Sequence, residues 1–264
     1  MNVDHHLTLR LAQDERDLRA AQRLRYRVFV EELGGDGELV DHDRKLEIDR
    51  FDPFFDHLIL VDGRRDADAL EDVVGVYRLL PGERAAAAGG FYSESEYDLS
   101  VLGRSGRKLL ELGRSCVHAD HRGGMAMMHL WNGLADYVLD RGFEVLFGPA
   151  SFHGTDIEAL AQPLAFLHHN HLAPGDLRVT AQPASYQRMD LIAAEDVDRK
   201  AAMQGIPALI KAYLRLGGCV GEGAWIDHAF NTTDVCLVMD TGRMSARHKN
   251  FYTRMVPADE LAGK

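Results

Sequence analysis

Cysteine is scarce in this chain: Cys116, Cys219 and Cys236 are the only three among 264 residues. They are too few and too scattered for a disulfide framework or a zinc ribbon, and read most simply as small buried apolar side chains. No apolar run approaches the roughly 18 residues that a membrane span requires. The opening MNVDHHLT also lacks the cationic start and apolar stretch of a secretion signal, so the expectation is a cytoplasmic protein. Net positive charge is missing as well. Thirty Lys and Arg against 41 Asp and Glu leave −11, which argues against nucleic acid as a partner, since neutralising phosphates takes a basic face. With no internal repeat and no low-complexity linker to divide it, the chain reads as one domain over 1–264.

What is present is an alternation of helical and strand patterns. Residues 7–11 read as a strand, and Asp14, with Asp17 three positions on, caps a helix carrying Leu18, Ala21, Leu24 and Val28 on one face and ending near Gly34. A long polar loop runs to about Asp56. Strands are predicted over 57–61 and 73–80, joined by RRDADALED, and residues 81–105 read as a short helix with surface loops. A strand at 109–117 and a helix over 125–141, stopped by Gly142, precede a strand over 143–152. Thr155 or Asp156 then caps a helix over 157–168, bent or broken at Pro163. Further strands are predicted at 187–192, 218–225 and 235–239, with an amphipathic helix over 206–216 between them.

The stretch ELGRSCVHADHRGG, Glu111 to Gly124, couples that 109–117 strand to a Gly-rich turn opening a helix. Backbone N–H groups at such a helix start favour a phosphate. Glu111 among apolar strand residues would have its pKa raised by desolvation, which suits a general base; equally, it could simply pair with Arg114 or Arg78. Asp49 is a second candidate base, directly or through water. A carboxylate-bearing substrate would find guanidinium forks in Arg25, Arg78 and Arg114, and a cationic one would find Asp49, Asp52 or Asp156. Apolar residues at 143, 146, 147, 152, 160, 164 and 166 could line a slot for an acyl chain, or could be core. The face made by Ile206, Leu209, Ile210, Tyr213 and Leu214 could rest on a bilayer or on the core. Other patterns fail on inspection. GRSCV has Val117 where a nucleophile elbow needs its second Gly, and His168, His169 and His171 have no acidic partner motif for a metal.

LRYRVFVEELGG followed by EIDRFD, with Arg25, Phe29, Glu47, Asp49, Phe51 and Asp52, resembles the first helix and substrate loop of the acyl-homoserine-lactone synthases. VYRLLP with Arg78, and ELGR with Glu111 and Arg114, match that family in order and type. The Trp those synthases place after the first helix is missing, with Gly34 to Gly37 in its region, which counts against an adenosylmethionine-using activity. LFGPASFHGTD, residues 146–156, and the segment from Ile206 to Asp240 resemble instead the ornithine N-acyltransferases of bacterial ornithine-lipid synthesis. The Gly turn departs from the usual acetyltransferase loop. Counting from Arg122 puts Met125 at the first Gly, and counting from His121 fits Gly124 and Ala126 but starts on His.

The resemblance implies a GNAT-type α/β fold, a mixed central sheet flanked by helices, with an elaborated C-terminal half. It implies transfer of a 3-hydroxyacyl chain from acyl carrier protein to the α-amine of ornithine, with no tightly bound cofactor, the donor being a phosphopantetheine thioester. Glu111 and Asp49 would be catalytic; Arg25, Phe29, Asp52, Arg78, Arg114, Ser151 and Asp156 would bind substrate; His121, Arg122, Gly123 and Gly124 would hold phosphopantetheine; no metal is expected. A lipid product implies peripheral contact with the inner face of the cell membrane. Because carrier proteins are themselves acidic, docking would need a basic patch from Arg104, Arg107 and Lys108, from Arg122, or from Arg243, Arg247 and Lys249. Acylation of glutamine, glycine or lysine, homoserine-lactone synthesis, and a non-catalytic acyl or carrier-binding module remain the alternatives.

Overall fold

The computed structural model describes residues 6–243. Strand β1 (Leu7–Leu11) leads to helix α1 (Glu15–Arg25), where the Asp14 carboxylate accepts the Asp17 N–H at 2.9 Å and caps the helix as expected. The buried stripe runs Asp17, Ala20, Ala21, Leu24, leaving Leu18 half-buried at its margin. Past Arg25 the helix widens into a π-helical stretch, Tyr26–Glu32, before the polar loop begins. Then come β2 (Asp56–Asp62), β3 (Val73–Pro81), α2 (Gly82–Ala88), β4 (Tyr97–Asp98), α3 (Ser100–Arg104), β5 (Leu109–Val117) and α4 (Ala126–Arg141). The C-terminal half holds β6 (Val145–His153), α5 (Ala161–His171), β7 (Thr180–Ala181), β8 (Tyr186–Gln187), α6 (Arg199–Gly205), α7 (Ala208–Arg215), β9 (Cys219–Val220), β10 (Ala224–Asp227) and β11 (Thr232–Asp240).

The main sheet has the order β1-β2-β3-β5-β6-β11-β10-β8, with β9 also on β11. Its neighbours are antiparallel except β5 and β6, which run parallel. Both faces are covered, which is why β2 and β3 read as continuous apolar runs instead of alternating. On β2, Leu58 and Leu60 join Leu130, Leu134 and Tyr213 on one side, while Ile59 meets Ala21, Leu24 and Val28 of the first helix on the other.

Several expectations change. Residues 81–105 hold the expected short helix, α2, but are not all surface: Ser93, Glu96, Tyr97 and Leu102 are buried, the last two packing with Val145, Phe147 and Val238 in a second apolar cluster. The expected 157–168 helix starts later, at Ala161, so Pro163 falls in its first turn, where its missing N–H costs nothing and no bend is needed. The expected 218–225 strand divides into β9 and β10, and between them Gly221 lies so close to Val179 that a Cβ there would stand 2.7 Å from the Val179 side chain. The predicted 187–192 strand shrinks to the two residues of β8. On α7, Ile210 and Tyr213 are buried, as is Ile206 just ahead of it, so this face rests on the core and not on a bilayer. No helix among the described residues is long and apolar enough to cross a membrane.

The feature that makes room for a site is the parting of the two parallel strands. They pair at Leu109 with Val145, Leu110 with Leu146 and Glu111 with Phe147, and then separate. Gly148 sits at the parting, where a Cβ would stand 2.0 Å from the Leu112 carbonyl oxygen. Gly148→Ala is therefore expected to destabilise the protein by about 1–3 kcal/mol, the scale of overpacking against an unyielding neighbour. Gly103→Ala, with open space around it, should be neutral. Urea denaturation of both variants checks this, and equal stabilities would refute it.

Candidate active site

Where the strands part lies a cavity of about 230 Å³, walled by 112–115 of β5 on one side and 149–151 of β6 on the other. Phe29, Phe55, Arg78, Tyr92, Glu96, Glu111, Asp227, Phe230 and Asp234 complete its lining. Glu111 is 1% exposed. Its carboxylate accepts the Tyr92 N–H at 2.9 Å, the Ser93 N–H at 2.6 Å and the Ser93 hydroxyl. Burial nevertheless wins over these hydrogen bonds and lifts its pKa to about 7.

Two arginines share that wall. Arg78, fully buried, is ion-paired with Asp49 and, at 2.9 Å, with Asp52, and lies over the Phe55 ring. Its Nε and Nη2 have no hydrogen-bond partner among the described residues, so one edge of the fork is unspent. Arg114 occupies a bulge: β3 and β5 slip register between Val76 and Arg78, and Arg114 takes up φ +49°. For a non-glycine residue that backbone costs about 1–2 kcal/mol, and it re-aims the side chain as bulges do. Arg114 Nε donates to Glu47 at 3.1 Å and Nη2 to the Tyr92 hydroxyl at 3.4 Å, with the guanidinium among the rings of Phe29, Tyr92 and Phe230.

Behind both forks lies Arg25, fully buried, bonded to the Glu47 carboxylate and carbonyl and to both oxygens of Asp52. Burial alone would raise Glu47 and Asp52, yet the surrounding guanidiniums hold Glu47 down at about 2 and Asp52 lower still. Both stay ionised.

Of the residues named from sequence, the structure brings Glu111, Arg78, Arg114, Phe29 and Ser151 to the cavity wall. Arg25, Asp49 and Asp52 stand behind it. Asp49 is occupied by Arg78 and by the Phe51 N–H. Asp156 is away from the cavity, its carboxylate accepting the Glu158 and Ala159 N–H groups. His121, Arg122 and Gly124 line a separate recess of about 470 Å³ at the start of α4, with Gly123 turning the chain at φ +77°. There His121 is 3.2 Å from Asp62 and Arg122 is 2.6 Å from Glu32. Among the apolar slot candidates, Phe143 and Leu146 border a groove of about 460 Å³ with Trp131, Tyr213 and Met239; Phe147, Phe152, Leu164 and Phe166 are core. Leu160, partly buried, packs against that core and not on the groove.

Sequence reading missed Tyr92, Glu96, Asp227, Phe230 and Asp234. A signal was available for Asp234, an acid inside the apolar run TTDVCLVM of β11. Glu96 was hidden in SESEYD, which reads as polar surface. Oxygens of Glu96, Asp227 and Asp234 lie within 4.8 Å of one another. Burial, with the neighbouring carboxylates adding to it, raises Glu96 well above the usual range and Asp234 to about 6. The cavity thus offers unspent cationic donors, a carboxyl that titrates near neutral pH and a cluster of three further carboxyl groups within one enclosure, a set suited to a zwitterionic substrate.

The acetyltransferase (GNAT) domain family matches residues 24–132. The chain is 62% identical to the L-ornithine N(alpha)-acyltransferase of Rhodobacter capsulatus over 94% of this chain and 95% of that protein. It is 43% identical to the enzyme of the same name from Brucella abortus, over 93% and 88%. A solved CoA-dependent acyl-homoserine lactone synthase, BjaI, with SAM and isopentyl-CoA, aligns with 90% of this chain and 80% of its own at 15% identity and a TM-score of 0.49.

Two outcomes are expected from the site's electrostatics. Glu111, raised from 4.5 to about 7 in the fold, binds its proton more tightly there than in the unfolded chain. Its contribution to stability is thus full below about 4.5 and is lost as pH rises through 7. Melting curves between pH 5 and 8 should show the wild type losing ground to Glu111→Gln, which mimics the protonated form; parallel curves would refute the shift. Arg25→Ala leaves two ionised carboxylates buried without their partner and should cost about 3–5 kcal/mol in urea denaturation.

Proposed function

The chain belongs to the family of the L-ornithine N(alpha)-acyltransferases, and on that premise we propose that it transfers a 3-hydroxyacyl chain from acyl carrier protein to the α-amine of ornithine. The observation that carries the reading is Glu111, a buried carboxyl with a pKa near 7, sharing a cavity wall with Arg78 and Arg114. Amide formation needs a neutral amine at the thioester carbonyl, and a base matched to neutral pH serves it. The amine nitrogen bonds to the carbonyl carbon, and its surplus proton passes to Glu111. The C–S bond then breaks, and the thiolate takes that proton to leave as the free thiol. No resident cofactor enters this sequence.

The free edge of Arg78 and the fork of Arg114 would hold the acceptor's α-carboxylate, bidentate recognition being what a guanidinium does best. Phe29 and Ser151 would contact the substrate at the wall. Asp49, Asp52 and Arg25 are read as positioning residues, since their polar atoms are committed to one another and to Arg78. The donor's phosphate would sit at the N–H groups of the turn 121–124, where α4 begins without a side-chain cap. Its acyl chain would follow the groove at Phe143, Leu146 and Tyr213. Peripheral contact with the inner face of the membrane belongs to the same proposal, through the lipid product.

Carrier docking must overcome the net charge of −11. Arg107 is tied to Asp240, and Arg243 to Asp176 and Asp240; Arg104 is exposed, and Arg247 and Lys249 lie outside the described residues. Purified protein given 3-hydroxyacyl carrier protein and ornithine should yield the amide by mass spectrometry. Acyl-CoA should be the poorer donor, and the preference should weaken as added salt shortens the Debye length from about 10 Å to about 3 Å. Glu111→Gln should lower kcat by about 10²-fold, the scale of a lost general base, while Arg114→Ala should raise KM for ornithine. Product with glutamine, glycine or lysine alone would reassign the acceptor. No product with any amine would favour a non-catalytic acyl-binding module.

A further inference from the structure

Three further carboxylates line the cavity that Glu111 lines, and the reaction as drawn makes no use of them. Building on the proposed amino-acid acceptor, we propose that Glu96, Asp227 and Asp234 form the subsite for the acceptor's side-chain ammonium and thereby select a diamino acid over neutral amino acids. The three come from separate places in the chain: Glu96 just before β4, Asp227 at the end of β10, and Asp234 in β11, paired in register with Trp225 of β10. Their oxygens lie within 4.8 Å of one another, Glu96 and Asp234 are buried, and Glu96 Oε2 and Asp234 Oδ1 accept no hydrogen bond from the described residues. An unpartnered oxygen on a buried acid is costly, and a cation supplies the partner that these two oxygens lack.

An independent observation says that the occupant carries an anionic group too. Arg78 faces the same cavity fully buried, with Nε and Nη2 unpartnered among the described residues. One enclosure therefore holds unpartnered groups for a carboxylate and for an ammonium, with the Glu111 carboxyl in the same lining for an amine. The acids that the sequence offered for the ammonium do not compete. Asp49 and Asp52 are bound to arginines, and Asp156 caps a turn away from the cavity.

The test compares ornithine with norvaline, which has the same backbone and no terminal amine, using the full chain and the acyl carrier donor. Wild type should prefer ornithine strongly. Asp234→Asn should cut the ornithine-to-norvaline ratio of kcat/KM by about 10²-fold, the scale of truncating one partner of a buried charge pair, mainly through KM for ornithine. Asp227→Asn, at a half-buried position that tolerates change better, should move the ratio in the same direction if Asp234→Asn fails to fold. Folded variants that keep the wild-type ratio would overturn the subsite while leaving the proposed reaction standing. Wild type that acylates neither amino acid would instead overturn the reaction. Melting curves with millimolar Mg²⁺ or Ca²⁺ alone provide the other arm. No shift is expected, whereas stabilisation that Asp234→Asn abolishes and ornithine does not compete for would make the cluster a metal site and overturn the proposal.

Discussion

The site depends on a chain of alternating charges buried behind it: Glu47 between Arg114 and Arg25, Asp52 between Arg25 and Arg78, and Asp49 on Arg78. Three guanidiniums and three carboxylates pair with one another, and Arg25, Arg78, Glu47 and Asp52 among them are almost wholly buried. Such a network is a poor source of stability, because well-packed apolar residues of the same volume would often do as well. Its effect is geometric. Arg25 never reaches the cavity, yet it fixes Asp52 and Glu47, and these fix the two arginines that do. The loop 33–55, which looks like a polar connection, is thereby sewn to the sheet at two buried acids.

The same logic explains why the strands are irregular where they are. β5 carries Glu111 in regular pairing, parts from β6 directly after it, and then bulges to place Arg114 at φ +49°. A regular parallel ladder would have closed the gap with hydrogen bonds and aimed Arg114 elsewhere. Local strain and lost pairing are thus concentrated on the few residues around the cavity, a pattern seen where backbone geometry serves a site.

Legibility in the sequence followed this division. Elements held by local rules were readable: the Asp14 cap, the strand 109–117 with its interrupting acid, and the helix closed by Gly142. The first-helix arginine and the EIDRFD acids were readable as a set, but not which of them would face the cavity, since that depends on pairing between residues 22 to 29 positions apart. Residues 81–105 misled for a physical reason. Their polar letters serve inward roles there: the backbone of Tyr92 and Ser93 holds Glu111, and Glu96 turns into the acidic wall. Composition cannot separate a polar residue that faces water from one that faces a polar cavity.

The two groups of carboxylates are set apart by their neighbours and not by their residue type. Glu47 and Asp52 are as buried as Glu111 and Glu96, but guanidiniums keep the first pair ionised while desolvation keeps the second pair toward the protonated form. One pair is fixed charge, the frame that holds the arginines. In the other pair burial favours the neutral form, and Glu111, at about 7, can change charge near neutral pH. On the proposed reading this matters for proton accounting, because a diamino acid arrives with more protons than the reaction can use. The ionised fraction of Glu111 is what receives the reacting amine's proton, and a frame that never titrates keeps the forks aimed while that proton moves.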